Sequence, residues 1–483
     1  MTEQSAAAVA RTAPNPSTQL EPDAIGVAQD TVIGMASSAP AASVALTIAG
    51  LAAATAYGSG AIILITMIPM VIIANAYRRL NMWNANCGAS FEWVGRAINP
   101  YLGFMTGWLM IAAYIIATVS GVEVLGPSVL TVFGNDGTAT TPNVLIAIAL
   151  GLVMLIIAIV GIKITARTQV GIAAVEYLIL IGFAIAGLVA VLSHHAHTVP
   201  FSADWFSVGG IGGHGSAVAG FLIAVFMFTG WDGTLYVNEE VRRRRTNPGK
   251  AAVIAVLLLA VIYTFATVGL QGAVSKTGLQ NNYDSPLTYI AQVLGGGGWA
   301  KVMALSLALS VIATTGTGIV LAARIVYGMA SYRTLPEFLS NVSRRFATPV
   351  AASIVVGGLI IVLSVVYLLA TSVQNAFTYV VDVTGLLFGI FYILTALATI
   401  VFYRRRLFST AKDALLLGIL PVGAAGFLGW IVVKSMLSAP AAENWSMVGV
   451  IGSGIVMMLV ARFILRSPFF QIRRESDTGT LPA

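Results

Sequence analysis

The stretch ASSAPAAS, residues 36–43, places two adjacent hydroxyl side chains and a proline inside an apolar run long enough to cross a membrane. Proline has no N–H and its ring clashes with the preceding turn, so the helix before Pro40 must kink or end. Proline also suits the first turn of a new helix, where its missing donor costs nothing. The stretch therefore predicts two half-helices that meet inside the bilayer.

The start of the second half-helix is predicted to form a small anion site. First-turn amides have no partner within their own helix, and the helix dipole adds positive potential there. The two serine hydroxyls can cap this end or bind a ligand directly. The alternative is a simple proline kink whose polar groups are satisfied by neighbouring helices. The predicted substrate-binding residues of this break are Ala36, Ser37, Ser38, Ala39, Ala41 and Ala42.

Composition places this break in a membrane protein. Of the 483 residues, 58% are hydrophobic and 9% are charged, which no water-facing globular surface tolerates. Apolar runs of the roughly 20 residues that cross a bilayer recur along the chain from about residue 25. They predict an all-α polytopic membrane protein with twelve transmembrane helices, at 25–54, 61–77, 101–132, 143–161, 168–192, 216–237, 250–271, 301–329, 350–371, 375–403, 415–437 and 447–465.

The positions of the basic residues predict the orientation. If the amino terminus is cytoplasmic, the lysines and arginines fall inside, except Lys276, Lys301 and Lys434. This asymmetry predicts an even number of spans with both termini cytoplasmic, in the plasma (cytoplasmic) membrane. The run Arg242–Arg245 lies where a span leaves the bilayer, so its expected partner is anionic membrane lipid and not nucleic acid.

Segments outside the spans carry no expected catalytic machinery. Residues 1–24 are predicted to be a disordered cytoplasmic N-terminus, and residues 466–483 a cytoplasmic tail. The lone Cys87 is expected near the inner surface, where it forms neither a disulfide framework nor a cysteine-based metal site. His194, His195 and His197 are read as solvated outer-loop residues, with a metal site as the alternative. We expect no enzyme activity, no metal and no cofactor, because nucleophile, base and metal ligands do not share one membrane level.

The sixth span contains a second polar break, FTGWDG at residues 228–233. Its glycines allow backbone conformations closed to other residues, and its freed carbonyls can accept from a substrate ammonium. The two aromatic rings can wall the site and offer cation–π contact, while the aspartate either faces the ammonium or caps a half-helix. The predicted substrate-binding residues here are Phe228, Thr229, Gly230, Trp231 and Asp232.

The two breaks occupy similar positions in the two halves of the chain. If spans one to five and six to ten are repeats, each break lies in the first helix of its half. Because each repeat has an odd number of spans, the halves run in opposite directions through the membrane. Discontinuous helices in matching places of inverted halves point to a transporter's substrate site near the midplane.

Three further segments resemble the amino acid–polyamine–organocation (APC) superfamily of secondary transporters. FMFTGWDGTLYVNEEVRRRRTNPGKA (226–251) is similar to the family's sixth-span motif and its exit, GASFEWVGRAINPYLGFMTGW (88–108) to the loop entering the third span, and AARIVYGMASYRTLPEFL (322–339) to the eighth-span exit. The resemblance implies a LeuT-like five-plus-five inverted repeat with alternating access to a central site. The first repeat is expected at 25–192, the second at 216–403, and two trailing helices at 415–465.

Two positions depart from the family's pattern. The first-span break usually reads Gly-x-Gly in the family, whereas serines and alanines precede Pro40 here, so the substrate is open between an amino acid and a related amine. Glu176 stands where many members have a lysine thought to replace sodium. Counted from about Thr168, it lies roughly 12 Å deep, where a carboxylate is costly unless it is hydrogen-bonded, paired or protonated. We predict that it binds the coupling proton; a permanently neutral structural Glu176 is the alternative.

The predicted function is therefore a secondary active transporter of amino acids or related amines, proton-coupled or exchanging. Sodium coupling is an alternative, with the hydroxyls of Thr314 and Thr315 as ligands of the ion. Hydrogen bonds from these hydroxyls to carbonyls of their own helix would equally explain the two residues. Asp382 is read as a structural group or a polyamine contact, and Glu123 as structural. The alternatives are a polyamine transporter or exchanger, and a transporter-like sensor, which would need a longer cytoplasmic domain than the tail after Leu465.

Overall fold

The computed structural model describes residues 19–135, 137–194, 198–211, 213–370 and 373–477. Within these ranges the chain is helical and contains no β-strand. The all-α fold with twelve helices long and apolar enough to cross a membrane is confirmed, at Val27–Thr55, Ser59–Trp83, Pro100–Val132, Thr140–Val160, Ile162–Leu192, Ala217–Leu235, Asn247–Gln271, Gly297–Ala330, Val350–Leu369, Val383–Phe402, Ala411–Ser438 and Glu443–Ile464.

The first, third and sixth spans are each divided into shorter elements, and short helices also lie between spans. The α-helices are α1 (Val27–Ser37), α2 (Pro40–Thr55), α3 (Ser59–Trp83), α4 (Ser90–Ala97), α5 (Pro100–Ser120), α6 (Val122–Val132), α7 (Thr140–Val160), α8 (Ile162–Leu192), α9 (Gly213–Met227), α10 (Asn247–Gln271), α11 (Lys276–Asn281), α12 (Pro286–Gly295), α13 (Gly297–Ala330), α14 (Val350–Leu369), α15 (Val373–Phe402), α16 (Ala411–Asp413), α17 (Leu420–Ser438) and α18 (Ala441–Leu459).

Several helices extend beyond the predicted spans at their polar ends. The second span runs on through Arg78 and Arg79 to Trp83, and the fifth begins at Ile162, six residues before the predicted start. Hydropathy marks only the part of a helix that lies in hydrocarbon, whereas backbone hydrogen bonding continues where long basic side chains reach water. Glu176 therefore lies midway along α8, about 21 Å from its start at 1.5 Å per residue.

The first and eighth spans form the centre of the bundle. In each of them 83% of the most apolar window is buried, against 17% in the twelfth span. Because the outer faces of the peripheral spans are apolar and exposed, they are suited to contact lipid. The residues of the first-span break are therefore surrounded by protein.

The end of the bundle that carries Arg242–Arg245 is called the basic end here. Ile25 forms a parallel bridge with Val241 at this end, through Ile25 N–H to the Glu240 carbonyl (3.2 Å) and Arg242 N–H to the Ile25 carbonyl (3.0 Å). Residues 19–24, part of the segment predicted to be disordered, are described by the structure. Leu20 is buried there with Cys87, Tyr327 and Val342.

Candidate functional site

The first span breaks where the sequence predicted. Helix α1 ends at Ser37, and α2 begins at Pro40, which occupies its first turn. Between them Ala39 adopts a left-handed conformation with φ 45° and ψ 65°, which costs a non-glycine residue roughly 1–2 kcal/mol. The Ser38 carbonyl accepts the Ser43 hydroxyl (2.6 Å) and the Tyr263 hydroxyl (3.2 Å). These hydrogen bonds fix the conformation of the backbone at the break.

The break of the sixth span adjoins that of the first. Helix α9 ends at Met227, and a short 3₁₀ helix, Trp231–Leu235, follows Gly230, whose φ is 101°. A side chain at Gly230 would place its Cβ atom 2.6 Å from the Ser37 carbonyl oxygen. Only glycine permits both this φ and this approach. The two predicted breaks thus meet at one place in the protein.

The amides at the start of α2 are already hydrogen-bonded. The Ala41 N–H donates to Glu176 Oε1 (3.0 Å), and the Ala42 N–H donates to the Ser310 hydroxyl oxygen (3.2 Å). As predicted, these two amides have no partner within their own helix, and in this structure side chains of other spans accept from them. Sequence spacing could not reveal it, because both acceptors come from spans far along the chain.

Glu176 is fully buried against this helix terminus. Its Oε1 accepts from Ala41, its Oε2 has no hydrogen-bond partner, and its backbone carbonyl accepts the Ser306 hydroxyl (3.1 Å). Within the described residues it forms no salt bridge. The positive end of the α2 dipole and the side chain of Ser310 are the favourable interactions for an ionised carboxylate here.

Asp232 lies at the start of the 3₁₀ helix and is enclosed by tyrosines. Its Oδ1 accepts the hydroxyls of Tyr114 (3.1 Å) and Tyr392 (2.7 Å), and its Oδ2 accepts the hydroxyl of Tyr236. The side chain is fully buried and forms no salt bridge within the described part of the chain. Three hydroxyl donors hold this carboxylate in a fixed position.

Aromatic rings surround this carboxylate. Trp231 stacks on Tyr392 at 5.2 Å between ring centroids and meets Tyr77 edge-on at 5.3 Å, while Phe228 meets Tyr263 edge-on at 5.6 Å. The Trp231 indole N–H is buried without a hydrogen-bond partner.

Sequence reasoning missed the tyrosines that surround Asp232. Tyr236 could have been found, because it follows Asp232 by four residues and so returns to the same side of a helical segment. Tyr114 and Tyr392 belong to α5 and α15 and carry no local signal.

The remaining predicted site residues have other surroundings. Thr229 donates its hydroxyl to the Phe226 carbonyl (2.7 Å). Thr314 donates to the carbonyls of Ala36 (2.9 Å) and Ser310 (3.0 Å), whereas Thr315 donates within its own helix. Both threonines are therefore hydrogen-bonded within their own helix, and Thr314 also contacts the first-span break. The side chain of Asp382 lies outside the described residues.

A cavity of about 400 Å³ opens at the end of the bundle opposite the basic end. Its walls include Glu123, Asp284 and Lys301, and its inner lining includes Ala45 and Leu307. Ala45 lies one turn after Ala41 on α2, and Leu307 one turn before Ser310 on α13. Glu123 accepts the Tyr367 hydroxyl at 3.1 Å. The cavity therefore ends about one helical turn, roughly 5 Å, from Ala41 and Ser310 beside Glu176.

A buried ion pair lies between the breaks and the basic end. Arg324 Nε and Nη2 donate to Glu240 Oε2 and Oε1, both at 3.0 Å, and both side chains are fully buried. Burial raises the pKa of the Glu240 carboxyl, while the Arg324 guanidinium lowers it. The side chains of Arg242–Arg245 beyond it are exposed.

The described residues contain no group of three or more histidine, cysteine, aspartate or glutamate side chains placed to hold a metal ion. His194 is exposed, and His195 and His197 lie outside the described residues.

Comparisons with known proteins identify relatives of the chain. The family model described as amino acid permease matches residues 29–464. The Asc-type amino acid transporter 1 of Mus musculus is 29% identical over 247 residues, which are 51% of this chain and 43% of that protein. The arginine/ornithine antiporter ArcD2 of Lactococcus lactis is 20% identical over 332 residues, 64% of this chain and 66% of that protein. The chain thus spans about half the length of the curated mammalian relatives that it matches.

The fold is also found in solved structures. A manganese transporter of Eremococcus coleocola, crystallised with an aromatic bis-isothiourea compound, superposes with a TM-score of 0.60 at 13% identity, covering 91% of this chain and 95% of that one. At this identity the likeness shows the fold alone. It agrees with the LeuT-like arrangement expected from the sequence.

Proposed function

Because the chain belongs to the amino acid permease family, within the APC superfamily, we propose that it is a secondary active transporter of amino acids or related amines. It is a multi-pass membrane protein. Transport proceeds by alternating access to one central site, within two inverted repeats at 25–192 and 216–403 that are followed by two further helices. The names of the curated relatives, which include amino acid transporters and an arginine/ornithine antiporter, support this substrate class.

The observation that carries the proposal is the meeting of two broken helices beside the buried Asp232 carboxylate. In this role Asp232 pairs with the ammonium group of the substrate, which displaces tyrosine hydroxyls from one carboxylate oxygen. Trp231 and Phe228 provide apolar and cation–π contact for the rest of the molecule. The single donors of Ser37 and Trp231 are available for its neutral polar groups.

The two ends of the bundle support alternating access. At the basic end, the Arg324–Glu240 pair and the bridge between Ile25 and Val241 tie the loop after the sixth span to the eighth span and to the start of the first. At the opposite end, the cavity reaches within a turn of the centre. We assign the basic end to the cytoplasm of a plasma membrane, with both termini there, because basic connections face the cytoplasm.

Glu176 is proposed as the proton-coupling group. Protonation at Oε2, the oxygen without a partner, makes the carboxyl neutral. Deprotonation leaves a carboxylate that the α2 terminus stabilises through the Ala41 amide. Movement of α2 during the cycle changes that contact, and with it the affinity of Glu176 for a proton. Uptake under a proton gradient and under a sodium gradient distinguishes the two possible coupling ions.

The transport function is tested with purified protein in liposomes. Radiolabelled amino acids and amines are offered with an inward proton gradient, with a sodium gradient, and with no gradient but unlabelled substrate inside. We expect uptake of at least one compound, driven by the proton gradient or by exchange. Uptake of none in all three conditions, by protein shown to be folded, would refute the proposal.

Proton coupling is tested separately with Glu176→Gln, which keeps the size and the acceptor for Ala41 but cannot release a proton. We expect gradient-driven uptake to be lost and exchange to persist. A variant that still responds fully to the proton gradient would rule out Glu176 as the coupling group, and dependence on a sodium gradient would favour the sodium alternative.

A further inference from the structure

We propose that the transported substrate is an organic amine without a carboxylate group, because Glu176 occupies the place where the first-span break would hold a substrate carboxylate. This inference rests on the proposed transport function and narrows its substrate class.

The first step is that the break has no free amide to offer. Pro40 has no N–H, and the other backbone N–H groups from Ser38 to Ser43 all have acceptors inside the protein. In chain order these are the Met35 carbonyl (3.0 Å), the Ala36 carbonyl (3.2 Å), Glu176 Oε1 (3.0 Å), the Ser310 hydroxyl (3.2 Å) and the Ala39 carbonyl (2.7 Å). A carboxylate entering the site would have to displace one of them.

The second step concerns charge. The acceptor at the helix terminus is itself a carboxyl group, so a substrate carboxylate at the same amides would approach Glu176. Two carboxylates that share one buried site repel each other strongly unless a proton lies between them. Helix termini favour one negative charge, and this chain supplies it from α8.

The third step is the absence of a counter-charge. Within the described residues neither Glu176 nor Asp232 is paired with a lysine, arginine or histidine. Buried donors without a hydrogen-bond partner include the Trp231 indole and the hydroxyls of Ser37 and Tyr177, all neutral, while the Arg324 guanidinium is paired with Glu240. Buried carboxylates without a cation are costly. An organic cation would provide that charge, whereas a substrate carboxylate would add a negative group to a site that already holds the Asp232 carboxylate and, in its deprotonated form, Glu176.

The fourth step is the shape of the surroundings of Asp232. Tyr77, Trp231 and Tyr392 pack as a stacked and edge-on group beside the carboxylate. An ammonium with an apolar body fits an acidic acceptor among aromatic faces. No step in this recognition needs a carboxylate on the ligand.

The experiment uses pairs of compounds that differ only in the α-carboxylate: cadaverine and lysine, putrescine and ornithine, agmatine and arginine, ethanolamine and serine, tyramine and tyrosine. Binding to the full chain in detergent is measured by the shift in melting temperature and by competition, and uptake is measured in liposomes. In the tightest-binding pair we expect the amine to bind at least tenfold more tightly than its amino acid. A smaller ratio, or a preference for the amino acid, would overturn the inference.

A series of variants tests whether Glu176 causes the preference for the amine. Glu176→Ala frees the Ala41 amide and is expected to reduce the amine-to-amino-acid preference at least tenfold, through tighter binding of the amino acid. Ser306→Ala is the matched control, because its hydroxyl donates to the Glu176 backbone carbonyl and its loss leaves the amide occupied. Ser310→Ala frees the Ala42 amide and gives a second measurement should Glu176→Ala not fold. An unchanged preference in the folded amide-freeing variants would contradict the proposed role of Glu176.

The two proposals fail in different ways. Preferential transport of amino acids would overturn this inference and leave the transport function standing. No uptake or exchange of any amino acid or amine under the three gradient conditions, by folded protein, would refute the transport function and the inference together.

Discussion

Replacing Asp232 with asparagine tests whether this carboxylate binds the substrate ammonium. Asparagine keeps the shape of the side chain and one oxygen acceptor but removes the charge. Removing one member of a buried, hydrogen-bonded charge pair costs about 2–5 kcal/mol. At about 1.4 kcal/mol per tenfold change, this predicts a Kd raised roughly thirtyfold to several-thousandfold.

The same substitution also affects the folded protein. In the wild type, the carboxylate accepts the hydroxyls of Tyr114, Tyr236 and Tyr392. Hydrogen bonds to charged groups contribute about 1.5–3 kcal/mol each, and the asparagine amide nitrogen cannot accept any of them. We therefore expect a lower melting temperature as well as weaker binding, and the two effects must be measured separately.

The assay is competition against a labelled substrate in detergent, on protein that elutes as a single species and melts cooperatively. Asp30→Asn is the matched control, because Asp30 is also a fully buried aspartate of the bundle and its carboxyl has no hydrogen-bond partner. We expect the control to bind as the wild type does. Binding by Asp232→Asn within threefold of the wild type, or an equal loss in the control, would refute the assignment of the ammonium to Asp232.

Three further predictions concern the packing that supports the site. Arg324→Met should destabilise the protein by about 3–5 kcal/mol, because it leaves the buried Glu240 carboxylate unpaired. The double variant with Glu240→Gln should recover most of this stability. Equal melting temperatures of the single and double variants would contradict the prediction. Gly230→Ala should abolish transport, because the new methyl group would lie 2.6 Å from the Ser37 carbonyl oxygen and the φ of 101° is unfavourable for alanine. Uptake at the wild-type rate would show that the two breaks can move apart without loss of transport. Gly269→Ala should lower the melting temperature by several degrees, because its Cβ would collide with a backbone carbonyl of α8, and an unchanged melt would show that the α8 and α10 helices can move apart.

Much of the fold was accessible from the sequence for physical reasons that are local. Each apolar run of membrane-spanning length can be recognised without reference to the rest of the chain. The twelve spans predicted in this way are confirmed. The break at Pro40 was also predictable, because proline has no backbone donor and its ring clashes with the preceding turn. The helix ends were less predictable, as the early start of α8 at Ile162 shows, because helices continue past the hydrocarbon.

The contacts within the candidate site were less predictable than the spans. The residue types were recognisable, since a buried acid such as Glu176 or Asp232 stands out in an apolar span. Their partners were not, because the acceptor of the Ala41 amide lies 135 positions away along the chain. No periodicity connects residues that meet only when helices pack.

The sequence by itself determined that this is a helical membrane protein with two interrupted spans and that acids such as Glu176 and Asp232 lie inside it, because hydropathy and proline geometry act within one helix. Only the tertiary structure decided what those acids touch. It placed Glu176 on the Ala41 amide at the start of α2, and it brought Tyr114 of α5 and Tyr392 of α15 to Asp232. Hydrogen bonds between distant segments depend on how the helices cross, and that geometry belongs to the folded bundle as a whole.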